Sequence, residues 1–300
     1  MGGPSNPGGH VSVLITPSQL LAERAAGEPI RVLDVRWRLD RPDGHAEYLD
    51  GHIPGAVYVD LDTQLAQIGH AEEGRHPLPT VEALQESVRS WGISDGDRVV
   101  VYDNAKGTAA SRAWWLLRYA GLSDVRVLDG AFPEWKAQGN DVETGEFTAE
   151  PGTATLSYGH LPLLDIDAAA AFPAEGVLLD ARAPERYRGE TEPLDPRAGH
   201  IPGALNAPST GNVDRQGRFL PADQLRERFA EIGVHDGVPV AAYCGSGITA
   251  AHNALALTLA GFEPAVYPGS WSQWSNHPDR PVALGAEPGI PVDTADAAQR

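Results

Sequence analysis

The sequence predicts an α/β protein of two tandem domains, each a small parallel sheet with helices on both faces. Three observations carry that expectation. An internal repeat runs through most of the chain, and short apolar runs alternate with amphipathic stretches throughout. The 300 residues, 42% of them hydrophobic, are also enough to bury two cores. The clearest mark of the repeat is Gly51-His52-Ile53-Pro54-Gly55-Ala56, which recurs letter for letter as Gly199-His200-Ile201-Pro202-Gly203-Ala204. Further elements match in the same order, which means duplication rather than chance.

Before each hexamer lies an apolar strand end, at 32–36 and 178–182. After it comes a predicted helix, at 81–91 and 222–232, and then a second strand ending in tyrosine, at 98–102 and 238–243. A loop, an alanine-rich helix and a short strand (125–128; 265–267) follow in both halves. Each half closes on Gly-x-x-x-x-Trp, Gly130 to Trp135 and Gly269 to Trp274. These elements place one domain at 11–140 and the other at 160–283, each of about 130 residues, an ordinary domain size. Residues 141–159 have a weak apolar pattern and read as a linker. Residues 1–10 and 284–300 read as tails, and the chain after Pro281 is expected to pack little.

Composition narrows the partners. With 23 basic against 41 acidic residues the net charge is −18, which repels phosphate backbones and anionic lipid. No nucleic acid and no membrane is expected. No apolar run approaches the ~20 residues of a bilayer span, and residues 1–10 carry no secretory signal pattern. One cysteine excludes an internal disulfide framework and a Cys-x-x-Cys pair, and fits a reducing, cytoplasmic setting.

That cysteine, Cys244, ends the apolar run Val240-Ala241-Ala242-Tyr243 and is followed by Gly245-Ser246-Gly247-Ile248-Thr249 and an alanine-rich segment from Ala250. A strand, a tight loop and a helix in this order set the thiol at the carboxyl edge of a sheet and at a helix amino end. The free N–H groups and the dipole there favour negative charge, so the thiol is expected to be ionised more of the time than a free cysteine. Gly245 and Gly247 are expected to let the loop turn its amides toward the sulfur. A free cysteine is more often a buried structural one; the flanking strand, glycines and helix start reverse that balance. Superposing the halves puts Asp103 where Cys244 stands. A carboxylate cannot store sulfur, so the first domain is expected to be catalytically silent and to form one wall of a site between the domains.

Two reaction classes use a cysteine in such a loop. Phosphatases and arsenate reductases of one type need Cys-x5-Arg to grip an oxyanion. Here Ala250 stands in the arginine's place and the loop holds no arginine at all. The other class stores sulfur as a persulfide, which needs a thiolate, amide donors and no competing cysteine.

Along nearly its whole length the chain resembles the two-domain rhodanese family of sulfurtransferases. The repeated Gly-His-Ile-Pro-Gly-Ala, the Asp180-Ala181-Arg182 strand end and Gly269-Ser270-Trp271-Ser272-Gln273-Trp274 carry the resemblance. The loop from Cys244 to Ala250 is similar to the mercaptopyruvate branch, Cys-Gly-Ser-Gly-Val-Thr-Ala, with Ile248 for Val. Thiosulfate-preferring members carry basic residues in this loop, whereas Gly245, Ser246, Gly247 and Ile248 are uncharged. The resemblance implies transfer of sulfur from 3-mercaptopyruvate through a Cys244 persulfide to a thiol or cyanide, with thioredoxin-like proteins among the acceptors. It also implies a substrate-binding Arg186, for which Arg188 is a rival, and a second arginine whose nearest match, at different spacing, is Arg197. Gly245, Gly247, Ile248 and Thr249 would line the substrate. A relay of Ser246, His76 and Asp62 would serve the proton that the pyruvate enolate needs. His52 and His200 read as structural, because the silent half has its copy. No metal or organic cofactor is implied. Thiosulfate:cyanide sulfurtransfer and a non-enzymatic sulfur-carrier or regulatory module are the alternatives.

Overall fold

The computed structural model describes residues 12–291; the tail expected at 1–10 and the end of the tail expected at 284–300 lie outside them. In the first copy, β1 (Leu14–Ile15) leads into α1 (Pro17–Ala25), whose start is set by a Thr16/Gln19 capping box and a first-turn proline. Then come β2 (Ile30–Asp34), α2 (His45–Asp50), β3 (Ala56–Tyr58), α3 (Leu61–Gln64), α4 (Val81–Ser90), β4 (Arg98–Tyr102), α5 (Thr108–Tyr119), β5 (Val125–Leu128) and α6 (Ala131–Ala137). The second copy runs α7 (Ile166–Ala171), β6 (Val177–Asp180), α8 (Pro184–Tyr187), β7 (Leu205–Asn206), α9 (Ala222–Ala230), β8 (Val240–Tyr243), α10 (Ile248–Leu259), β9 (Ala265–Val266) and α11 (Ser270–Ser275).

Both sheets are parallel, in the orders β1-β5-β4-β2-β3 and β7-β6-β8-β9. A lone bridge from Leu163 to Val266 stands where β1 meets β5 in the first copy, so the two topologies coincide. The inner strands β4 and β8 are apolar on both faces because helices cover both.

The copies join through α5 and α10. Helix α10 is buried almost all round, as an apolar helix between two layers must be. One apolar cluster runs from Val101, Ala113 and Trp114 of the first copy to Ala251 and Leu255 of the second, while each sheet keeps a separate outer cluster. Among the described residues no helix is long and apolar enough to cross a membrane.

The linker and the described part of the last tail differ from expectation. Residue Glu143 pairs with His52 in an antiparallel bridge, and Ala283 pairs with His200 in the same way. The two segments are therefore one repeated element, a strap laid back over its own domain. Gly152 N–H donates to the Arg89 carbonyl (2.8 Å) and Gly285 N–H to that of Arg188 (2.9 Å). The straps are held by main-chain bonds, which leave no apolar periodicity to read. Each repeat histidine is buried, bonds a tyrosine carbonyl through Nδ1 and stacks on that tyrosine, Tyr48 or Tyr187. Both are structural.

Candidate active site

Strand β8 ends at Tyr243 and α10 begins at Ile248, two residues earlier than expected, leaving Cys244 to Gly247 as the whole turn. Cys244 is only 2% exposed and forms the floor of a cleft of about 510 Å³ between the domains. Trp37 and Arg75 come to this cleft from the first domain, and Arg182, Arg186, Ser246 and Thr249 from the second. The Gly247 N–H donates to Cys244 Sγ at 3.1 Å. Ser270, at a left-handed φ of 55°, accepts from the Cys244 N–H at 3.1 Å with its hydroxyl 4.0 Å from Sγ.

The two loop glycines serve different ends. Gly247 has φ 82° and a side chain there would run into the Pro268 carbonyl at 2.5 Å. Gly245 is not left-handed; an added Cβ would lie 3.1 Å from Arg75 Nη2 and 3.4 Å from Arg186 Nη1. Its missing side chain lets two guanidiniums close over the backbone beside the sulfur.

Arg186 is held by Glu192 (2.7 and 3.2 Å) and by Asp195 (3.4 Å). Asp195 also binds Arg75, so one buried carboxylate from the second domain aims an arginine of each domain. Burial pushes the Asp195 carboxyl up, against the pull of Arg75 and Arg186. Arg75 is a site residue that the sequence reading missed. Its signal was faint: it adjoins His76, and the loop approaches α11 only because Gly74, at φ 91°, lets its backbone lie against Gly269 and Ser272. Arg188, the rival of Arg186, pairs with Glu190 at the surface.

Arg197 is corrected. It donates to the carbonyls of Trp274, Ser275, His277 and Arg280 at 2.6–3.0 Å. It closes the carboxyl end of α11 and the turn after it, where the Trp274 and His277 carbonyls also accept backbone N–H groups and those of Ser275 and Arg280 have only the guanidinium among the described residues, and it does not line the cleft. The shifted spacing after Glu192-Pro193 has turned it away.

The expected relay is only part-built. His76 Nε2 lies 3.2 Å from Asp62 Oδ1, which also accepts from Trp37 Nε1 at 2.8 Å. His76 Nδ1 is buried with no partner, and among the described residues no hydrogen bond joins Ser246 to it. Ile248 and Thr249 line the cleft as expected.

The silent copy shows what the cradle is built for. The Asp103 carboxylate accepts from the N–H groups of Ala105, Gly107, Ala109 and Ala110 at 2.8–3.1 Å. Burial pushes this carboxyl up while the four donors pull it down. The turn behind Asp103 thus holds anionic atoms two bonds beyond Cβ.

A family model described as a rhodanese-like domain matches residues 16–138 and again 166–277. Among curated relatives, a putative thiosulfate sulfurtransferase SseB of Mycobacterium tuberculosis is 46% identical over 91% of this chain and 97% of its own. A probable 3-mercaptopyruvate sulfurtransferase of Pseudomonas aeruginosa is 45% identical, over 91% and 99%. The crystal structure of the Escherichia coli 3-mercaptopyruvate sulfurtransferase SseA superposes with a TM-score of 0.77 at 32% identity, covering 87% of this chain and 99% of that one. With a matching fold, a matching duplication and a cysteine on the loop of the second copy, this chain belongs to the rhodanese family as a two-domain member.

Proposed function

We propose that the protein is a sulfurtransferase that carries sulfur from 3-mercaptopyruvate on Cys244. The observation that carries this reading is the pairing of Arg75 and Arg186 over Gly245, which presents two guanidinium forks to a carboxylate beside the one thiol.

The donor's carboxylate and keto oxygen bind these forks, and its sulfur meets Cys244. The Cys244 thiolate attacks that sulfur: an S–S bond forms, the donor's C–S bond breaks, and the electron pair stays on carbon as the pyruvate enolate. A proton on that carbon completes pyruvate, and the His76–Asp62 pair is the nearby group suited to supply it. The outer sulfur of the persulfide takes the place that an Asp103 oxygen holds in the silent copy. Counted from the helix-starting glycines, the donors to Asp103 Oδ2, Ala109 and Ala110, correspond to the N–H groups of Thr249 and Ala250, while that of Gly247 is on Sγ. A thiol or cyanide then takes the sulfur and the thiolate returns, giving ping-pong kinetics.

Thiosulfate is the second reading, favoured by the name of the M. tuberculosis relative. The charge balance speaks for a monoanion. Facing the cleft, Arg75, Arg182 and Arg186 are matched one for one by Asp180, Glu192 and Asp195, so the group is neutral overall and a dianionic donor is disfavoured more than a monoanionic one.

Intact mass after incubation with each donor tests the reading. One added sulfur that cyanide removes is expected in the wild type and is absent in Cys244→Ser. A higher kcat/KM for thiosulfate would overturn the choice of donor. His76→Ala should slow turnover of mercaptopyruvate and spare thiosulfate, whose sulfite leaving group needs no proton. Equal effects on both donors would remove His76 from the proton's path.

A further inference from the structure

Arg112, on α5 of the silent copy, is a buried charge without a carboxylate. It is fully buried and donates to the carbonyls of Gly247 (3.3 Å), Leu65 (3.2 Å) and His76 (3.1 Å), while its Nε has no partner. The other buried arginines, Arg36, Arg126 and Arg182, each pair with a carboxylate. Among the described residues Arg112 forms no such pair. A buried cation without an anion is costly, so the structure should offer one nearby. The anion at hand is the Cys244 thiolate: Arg112 grips the Gly247 carbonyl, and the N–H of the same residue donates to Sγ. Burial pulls Arg112 down to about 10, and the charge of Cys244 is the main influence against it.

The duplication supplies a control. Helices α5 and α10 both start after a left-handed glycine, Gly107 (φ 80°) and Gly247 (φ 82°). Counted from these, Arg112 and His252 occupy the same position. Each reaches across to the opposite loop, for His252 Nε2 lies 3.2 Å from the Lys106 carbonyl. Burial drives His252 down to about 4, so it is a neutral ring. The loop with the thiol receives a permanent cation from the other domain. The loop with Asp103, whose carboxylate is saturated by N–H donors, receives none.

We propose that Arg112 is a positioning residue of the sulfur-transfer reaction, a fixed cation lent by the silent copy that keeps Cys244 and its persulfide in the charged form. This rests on Cys244 being the nucleophile. The other cations facing the cleft, Arg75, Arg182 and Arg186, are already committed to Asp180, Glu192 and Asp195. A catalytically silent domain is then needed for charge as well as for shape.

The test follows iodoacetamide alkylation of Cys244 against pH in the wild type, Arg112→Lys and Arg112→Met, with sulfur transfer measured alongside. In Arg112→Met alkylation at pH 7 should fall about tenfold and recover in alkali. Arg112→Lys keeps the charge but not the three-carbonyl grip, and its profile should stay with the wild type. Equal displacement in both variants would make the role one of packing, and no displacement in either would remove it; each overturns the proposal. Should Arg112→Met not fold, thermal unfolding of Cys244→Ser decides. Loss of the anion should lower its Tm relative to wild type at pH 9 and not at pH 5; an equal difference at both pH values overturns the proposal. Normal alkylation with no sulfur transfer in the wild type would instead sink the sulfurtransferase reading and leave the charge pair standing.

Discussion

Gly107→Ala and Gly247→Ala are the same change at the same place in the two copies, and the structure assigns them different costs. Both glycines sit near φ 80°, a region that costs alanine about 1–2 kcal/mol. At Gly107 the new Cβ would meet the Phe219 ring at 3.4 Å and Val127 at 3.9 Å, ordinary contacts. At Gly247 it would stand 2.5 Å from the Pro268 carbonyl oxygen and 3.0 Å from Arg112 Nη1. A backbone carbonyl cannot swing aside, so the start of α10 must part from the segment before α11. On the scale of overpacked cores this adds roughly 1–3 kcal/mol. Gly107→Ala should therefore cost about 1–2 kcal/mol and Gly247→Ala about 2–5 kcal/mol. Urea unfolding reads the stabilities, and intact mass after exposure to mercaptopyruvate reads the sulfur load. Gly107→Ala should load as the wild type does, whereas Gly247→Ala, with its N–H moved off the sulfur, should load poorly. Equal stability losses, or full loading of Gly247→Ala, would refute the reasoning.

The two arginines expected in the site should now separate. Arg186→Ala should raise the KM for mercaptopyruvate at least about tenfold, as loss of a charged hydrogen bond does, along with a loss of stability because buried Glu192 and Asp195 each lose a partner. Arg197→Ala should lower stability by roughly 1–3 kcal/mol, the Ser275 and Arg280 carbonyls being left bare, with KM unchanged; a raised KM in a fully stable Arg197→Ala would reinstate it as a substrate ligand. His252 should make the protein sensitive to acid. Its folded value of about 4 lies below the ordinary 6.5, so its contribution is complete above pH 6.5 and is lost as pH falls through 4. That amounts to roughly 3 kcal/mol. Urea midpoints against pH should flatten in this window for His252→Gln, and an unchanged slope would show that His252 is not the group responsible.

Much of the fold was legible because duplication writes the same constraints twice. The hexamers, the tyrosine-ended strands and the Gly-x-x-x-x-Trp segments fell where the repeat placed them. The straps were not legible. Residues near Glu143 and Ala283 hold on through backbone bonds to His52 and His200, and main-chain bonding leaves no residue pattern. Within the site, Cys244, Gly247 and Arg186 could be read from one contiguous loop or one motif. Arg75 could not, because its partner Asp195 lies 120 positions away. Arg197 was misread because a change in loop spacing redirects a long side chain, here onto the carbonyls around the end of α11.

The order of residues alone determined the α/β class, the duplication, the lone cysteine and the aspartate that stands in its place in the first copy, since each is a matter of residue type at short range. Only the packed molecule decided which cations face the Cys244 loop. Arg75 and Arg112 come from one domain and Cys244 from the other, and the strength of a charge on a thiol depends on distance and burial across that seam, which no spacing along the chain encodes.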